Sequence, residues 1–214
     1  MKKANEKVLY IVSGVNGAGK STFVKHAMSN FKNIYLNADE MAKQKYGGYS
    51  TKANRAAGYE VLKTLQDTAK LGVPIIWETT LGSKTYFKIC ELYRNHHYII
   101  DLTYIFLENE EAHRKRIDER VANGGHNIND AVLTKRFNDR SVNFEKAIEV
   151  ADSWKMLCNQ KPWIELVAFG NGNIKMISNQ ELYKDFYDLT PNKSPIIEKF
   201  RKIIGFSIKH DRTR

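Results

Sequence analysis

Cysteine, long apolar runs and repetitive sequence are what this chain has least of. Cys90 and Cys158 are the two cysteines among 214 residues. They stand far apart in stretches that read as helices, so a disulfide framework is excluded and two reduced thiols in a cytoplasmic protein are expected. His126 has no Cys or His partners at ligand spacing, so no metal site is expected beyond nucleotide-bound Mg²⁺. No apolar run approaches the ~20 residues that cross a bilayer, so no membrane span is expected. The basic start Met1-Lys2-Lys3 leads into only a short apolar stretch, which argues against a secretory leader. No internal repeat or low-complexity segment is present.

Acidic charge is also short, with 24 Asp and Glu against 34 Lys and Arg, a formal net charge of +10. Half of that excess lies at the end. From Thr190 to Arg214 seven basic residues stand against two acidic ones. This divides the chain into a domain over 1–189 and a basic tail over 190–214. In the tail Ile196, Ile197, Phe200, Ile203 and Ile204 have the spacing of an amphipathic helix. The tail could meet nucleic acid, an anionic surface or an acidic partner, or be a solvated appendage, which is the favoured reading.

What the chain does have is Gly14-Val15-Asn16-Gly17-Ala18-Gly19-Lys20-Ser21, a match to G-x-x-x-x-G-K-[ST]. Val8–Val12 before it reads as a buried strand, and Thr22–Phe31 after it as a helix. The glycines let successive N–H groups point at phosphate oxygens, and the start of the helix adds its positive field. Lys20 would reach the terminal phosphates of ATP and the Ser21 hydroxyl would hold Mg²⁺, with Gly14, Asn16, Gly17, Ala18, Gly19 and Thr22 completing the loop.

The rest alternates strands and helices. Strands are expected at Asn33–Asn37, Val73–Glu78, within Tyr98–Leu107, at Pro162–Phe169 and, after an Asn171-Gly172 turn, at Ile174–Ile177. Helices are expected over Thr51–Leu71, Ser83–His97, Asn109–Asn123, Asn129–Met156 and Gln180–Tyr187. This predicts an α/β P-loop NTPase or kinase fold: a doubly wound, mainly parallel sheet with helices on both faces and a helical lid. Ligands of such sheets gather at the C-terminal strand ends.

Three places answer to that rule. Asp39, after the second strand, is placed either to accept the proton of a substrate hydroxyl or to cap a helix. Glu78, with Thr79 and Thr80 after the third strand, would bind substrate or order the Mg²⁺ shell, or else serve a turn. Arg116 and Arg120, then Arg136 and Arg140, lie four apart on helices joined by Gly124-Gly125-His126. They suit a lid that stabilises phosphoryl charge, or are ordinary helix-surface charge.

These pieces resemble the zeta-toxin-like kinases, often described as predicted ABC-type ATPases. The carriers are the P-loop, Asn37-Ala38-Asp39, Glu78-Thr79-Thr80, and Glu119-Arg120-Val121-Ala122-Asn123-Gly124-Gly125-His126-Asn127-Ile128, with Arg136 and Arg140-Ser141-Val142-Asn143-Phe144 beyond. The resemblance spans about residues 8 to 145. It implies Asp39 as general base, Glu78 and Thr80 as substrate contacts, and Arg120 and Arg136 on the ATP phosphates. It further implies transfer to a substrate hydroxyl, with UDP-N-acetylglucosamine, a nucleotide sugar, as the leading acceptor, and a small helical antitoxin as a partner. A polynucleotide-directed kinase and a nucleotide-binding regulator without kinase activity are the alternatives. A motor ATPase is disfavoured, since no Leu-Ser-Gly-Gly-Gln type signature occurs.

Overall fold

The computed structural model describes residues 6–28, 34–82, 84–160, 163–171 and 173–190. In chain order these form β1 (Val8–Ser13), α1 (Lys20–Ala27), β2 (Ile34–Leu36), α2 (Ala38–Tyr46), α3 (Thr51–Thr68), β3 (Ile75–Thr79), α4 (Thr85–Asn95) and β4 (Ile99–Phe106). There follow α5 (Glu110–Ala122), α6 (Asp130–Asn138), α7 (Arg140–Glu149), β5 (Ser153–Gln160), β6 (Trp163–Asn171), β7 (Asn173–Ile177) and α8 (Gln180–Asp188).

The strands make one sheet in the order β2-β3-β1-β4-β5-β6-β7. From β2 to β5 every pairing is parallel, and β6 and β7 add to β5 antiparallel. The sheet is thus mainly parallel, as expected.

Neighbouring side chains of a strand point to opposite faces, and both faces here are covered. Leu9, Ile11, Ile75, Trp77, Ile100 and Leu102 pack on one side against Val61 and Leu65 of α3, Tyr86 and Ile89 of α4, Phe144 of α7 and Phe186 of α8. On the other side Val12, Ile76, Ile105 and Leu157 meet Val24 of α1. Each such fully buried side chain is worth about 1.5–3 kcal/mol of transfer free energy.

Two expectations fail. The single helix over Asn129–Met156 is instead α6, α7 and the strand β5. In β5, Trp154, Met156 and Cys158 join one core cluster while Leu157 joins the other. That two-sided burial, with a ladder from Asp101–Phe106 to Ser153–Cys158, overrides the helical spacing. Cys158 therefore sits in a strand, not in a helix; Cys90 is in α4 as expected. The second failure is α2, which has no counterpart among the expected elements. The Asn37 side chain caps its start by accepting from the Asp39 and Glu40 backbone N–H groups, and Gly47, at φ 71, ends it.

The β6–β7 hairpin pairs Asn171 with Asn173 as the Asn171-Gly172 signal predicts. Gly172 itself, Phe31, Asn33, Ser83, Pro162 and the tail from residue 191, with its expected amphipathic helix, lie outside the described residues. No helix among the described residues is long and apolar enough to cross a membrane.

Candidate nucleotide and acceptor site

Parallel strands finish on one edge, so the fold collects the ends of β1, β2, β3 and β5 there. The P-loop leaves β1 at Ser13, which registers with Thr79 of β3 on one side and Tyr104 of β4 on the other. Gly14, at φ 140, passes so close to β4 that a Cβ would collide with the Ile105 carbonyl oxygen. Gly19, at φ 90, ends the loop where α1 begins, against the Asn159 side chain.

Several groups set the shape of the loop. Asn159, at the end of β5, donates Nδ2–H to the Ala18 carbonyl at 2.8 Å. Arg116 of α5 holds Asn159 in turn, donating Nη2–H to its carbonyl at 2.8 Å. His113, fully buried, hydrogen-bonds through Nδ1 to the Asn16 carbonyl at 2.7 Å, which makes Nδ1 the protonated nitrogen. Burial brings the His113 pKa down to about 3, so this imidazole is neutral at pH 7.

At the loop's open side sit two cations. Lys20 is 7% exposed and donates to the Val15 carbonyl at 3.3 Å. Burial lowers its pKa, and the carboxylates of Glu78 and Asp39 offset this in part. Arg136 of α6 donates Nη1–H to Asn16 Oδ1 at 2.6 Å, and burial lowers its pKa too. Two desolvated cations beside a cradle that admits no Cβ fit an anion such as a polyphosphate.

Beside them, one carboxylate gathers three donors. Glu78, at the end of β3, accepts from Ser21 Oγ at 3.0 Å, from the Tyr35 hydroxyl at 2.6 Å and from Asn37 Nδ2 at 2.8 Å. Burial and the Glu78 charge push the Tyr35 pKa up, so the phenol stays a donor. Glu78 thus serves no turn; it faces the Ser21 hydroxyl. The fit for Mg²⁺ rests on this juxtaposition of a hydroxyl and a carboxylate beside the cradle.

Asp39 occupies the first turn of α2, where a negative charge meets the positive end of the helix. The cap is Asn37, so capping does not employ Asp39. Its carboxylate borders a cleft of about 480 Å³ that also takes in Asn16, Lys20, Glu78, Thr80 and Arg136. Val61, Leu62 and Trp77 give that cleft an apolar floor. Beyond Thr80 the chain turns through Leu81, a buried residue at φ 55, an uncommon conformation for a side chain of this size. Thr22 is exposed on α1.

The four arginines part company. Arg136 meets the P-loop and Arg116 meets Asn159. Arg120 donates Nη2–H to the His126 carbonyl at 2.6 Å, bracing the Gly124-Gly125-His126 loop. Arg140 is no part of the cleft. It is 1% exposed, lies over the Phe137 and Phe186 rings and donates to Thr190 Oγ1 and the Phe186 carbonyl. Surface pairing of the ordinary kind falls instead to Arg114, with Glu110 and Asp130. The α5–α6 pair and its loop border the cleft through His126 and Arg136, the position expected of a lid. Tyr35, Asn37, Asn54, His113, His126 and Asn159 enter the site without having been assigned to it from sequence. Asn37 and His126 lie inside the quoted motifs, whereas Asn159 has no local signal.

This sheet order, glycine loop and cleft define a P-loop nucleotide-binding α/β domain. The AAA domain family matches residues 9–140, and the chain belongs to it. No curated protein matches the chain. Solved structures share its fold. A chain of the AvrRxo1-ORF1:AvrRxo1-ORF2 complex with ATP aligns at TM-score 0.69 and 14% identity over 93% of this chain and 72% of that one. The same complex with sulphate ions gives 0.68 and 14% over 89% and 66%. This chain thus spans about two thirds of the length of those relatives. A chain of the PezAT chromosomal toxin-antitoxin system of Streptococcus pneumoniae gives 0.61 and 19% over 94% and 85%. At these identities the likeness is one of fold.

Proposed function

We propose that the chain is an ATP-dependent phosphotransferase acting on the hydroxyl of a small molecule, built on residues 1–189 with 190–214 as a basic appendage. The observation that carries this reading is a single cleft lined both by the cations Lys20 and Arg136, with Asn16, and by the carboxylate of Asp39 and the hydroxyl of Thr80. A regulator that only binds nucleotide has no use for a carboxylate beside the phosphate cations.

In this reading Lys20 and Arg136 hold the β- and γ-phosphates, with Arg120 close behind them, and Ser21 is the hydroxyl ligand of Mg²⁺. Mg²⁺, when bound, neutralises charge on the phosphate oxygens. Thr80 and Glu78 contact the acceptor. Asp39 Oδ2 takes the hydroxyl proton as the acceptor oxygen joins the γ-phosphorus, and ADP departs with the electrons of the broken bond. UDP-N-acetylglucosamine is the first acceptor to try, on the strength of the motif resemblance. The toxin-antitoxin neighbour supports a small helical antitoxin as partner, in the cytoplasm.

The test is incubation with Mg²⁺ and ATP against UDP-sugars, nucleosides and oligonucleotides, read by mass for one added phosphate. Labelling of oligonucleotide ends alone would overturn the small-molecule reading. Asp39→Asn should abolish transfer and keep ATP affinity.

A further inference from the structure

The Gly-Gly-His segment is the sequence feature for which phosphate and acceptor binding leave no task. His126 is joined to three residues of α2, α3 and their connection. Its Nδ1 lies 3.2 Å from Asp39 Oδ1, its Nε2 lies 3.2 Å from Asn54 Nδ2, and its ring stacks on Tyr49 with centroids 4.9 Å apart and planes within 4°.

The proton positions follow from one carbonyl. Asn54 Nδ2 also donates to the Tyr49 carbonyl at 3.1 Å. A carbonyl only accepts, so the amide nitrogen must face it and the amide cannot be turned over. The same nitrogen then presents its second hydrogen to His126 Nε2, which must be bare. A neutral imidazole with a bare Nε2 carries its proton on Nδ1, aimed at Asp39 Oδ1.

The backbone of the segment is fixed as firmly. Arg120 Nη2 donates to the His126 carbonyl, and a Cβ on Gly125 would fall 2.8 Å from the Arg120 carbonyl oxygen. The loop between α5 and α6 is thereby pinned to α5 by its main chain and to α2 and α3 by one side chain.

We propose that His126 is a positioning residue for Asp39: its Nδ1 proton holds Oδ1, leaving Oδ2 turned to the acceptor, and Asn54 selects the tautomer that does so. This rests on the reading of Asp39 as the base. It couples the seating of the α5–α6 loop to the orientation of the base, so a loop that lifts away releases the carboxylate as well.

Two measurements on the full chain test it. In ¹⁵N-histidine protein, long-range ¹H–¹⁵N correlation spectra report the tautomer of His126, assigned by loss of its signals in His126→Asn. The expected result is a proton on Nδ1 and a bare Nε2, with Nε2 gaining a proton as well in Asn54→Asp, where a carboxylate replaces the donating amide. The second is γ-phosphate release from Mg²⁺–ATP with no added acceptor, beside ATP affinity. His126→Ala should lower the rate about 10- to 100-fold and leave ATP affinity within about twofold, the scale of a misplaced catalytic group. His126→Asn puts an N–H near the place of Nδ1 and should recover most of the rate. Asn54→Ala should cost less and add nothing in the His126→Ala background; additive losses would mean that Asn54 acts on its own. Thermal melts on every variant separate misfolding from misplacement, and the asparagine variant carries the test where alanine fails to fold. Protonation at Nε2 in the unaltered protein overturns the proposal. So does a His126→Ala rate within about twofold of normal while Asp39→Asn is inactive, a result that leaves Asp39 as base. A normal rate in Asp39→Asn removes the base reading itself, and no His126 variant can produce that result.

Discussion

Ser21 donates its hydroxyl hydrogen to Glu78 Oε1 at 3.0 Å, across 57 positions of chain. The bond ties the first turn of α1 to the end of β3, and Tyr35 and Asn37 bring the end of β2 to the same carboxylate. Glu78→Ala strands three donors. We expect a loss of about 1–3 kcal/mol in urea unfolding. Because Asn37 also caps α2, loosening it should disturb Asp39. Mg²⁺-dependent ATP turnover should fall further than ATP affinity, and a variant with full turnover would refute the arrangement.

Arg136 and Arg140 give opposite expectations. Arg136→Met removes a cation from the P-loop and should weaken ATP binding at least tenfold with little effect on stability. Arg140 is clamped between aromatic rings in the core, and burial lowers its pKa to about 10. Arg140→Ala should cost about 2–4 kcal/mol through the cavity and the lost bonds to Thr190 and Phe186. Arg140→Met, which keeps the volume, should be far milder, and neither Arg140 variant should alter ATP affinity measured by titration calorimetry.

His113 makes stability depend on acid. Its folded pKa is about 3, far below the ordinary histidine value. Between the two, the unfolded chain takes a proton that the folded chain refuses, so stability falls as pH drops through that window. The slope reaches at most about 1.4 kcal/mol per pH unit. His113→Gln should flatten this part of the profile when urea unfolding is followed from about pH 6.5 to 4.5.

Asn159 lies 141 positions from the Ala18 carbonyl that it holds. Asn159→Asp replaces the donor by a carboxylate facing a carbonyl oxygen and, beyond it, the phosphate cradle. ATP affinity should drop about tenfold or more by like-charge repulsion. Asn159→Ala should have a smaller effect, and the order of the two is the check.

The P-loop and the strands on either side of it were legible because their signals are local: a fixed glycine spacing, and apolar runs too short for buried helices. Asp39 and Glu78 were legible as strand-end carboxylates, but the sharing of roles was not. Asn37 takes the cap that Asp39 was equally suited to, because only the backbone decides which residue stands one step before the helix. The strand β5 was hidden. Only Val150, Ala151 and Asp152 separate it from α7, with no glycine or proline between, and Asp152 is spent in accepting from the Ile100 N–H. With β5 hidden, Asn159 had no reason to be near the P-loop. The same error misplaced Arg140: a spacing of four from Arg136 means one face only if the helix is continuous, and it breaks at Asp139.

Both thiols of the chain are locked away, Cys90 in α4 and Cys158 in β5, and burial raises each thiol's pKa to about 12. At neutral pH neither offers a thiolate to an alkylating reagent. The native protein is in that respect already a cysteine-free background. A single thiol introduced at the exposed Asn127 would carry a fluorophore or spin label to the rim of the cleft without any prior substitution, and its signal would come from that site alone.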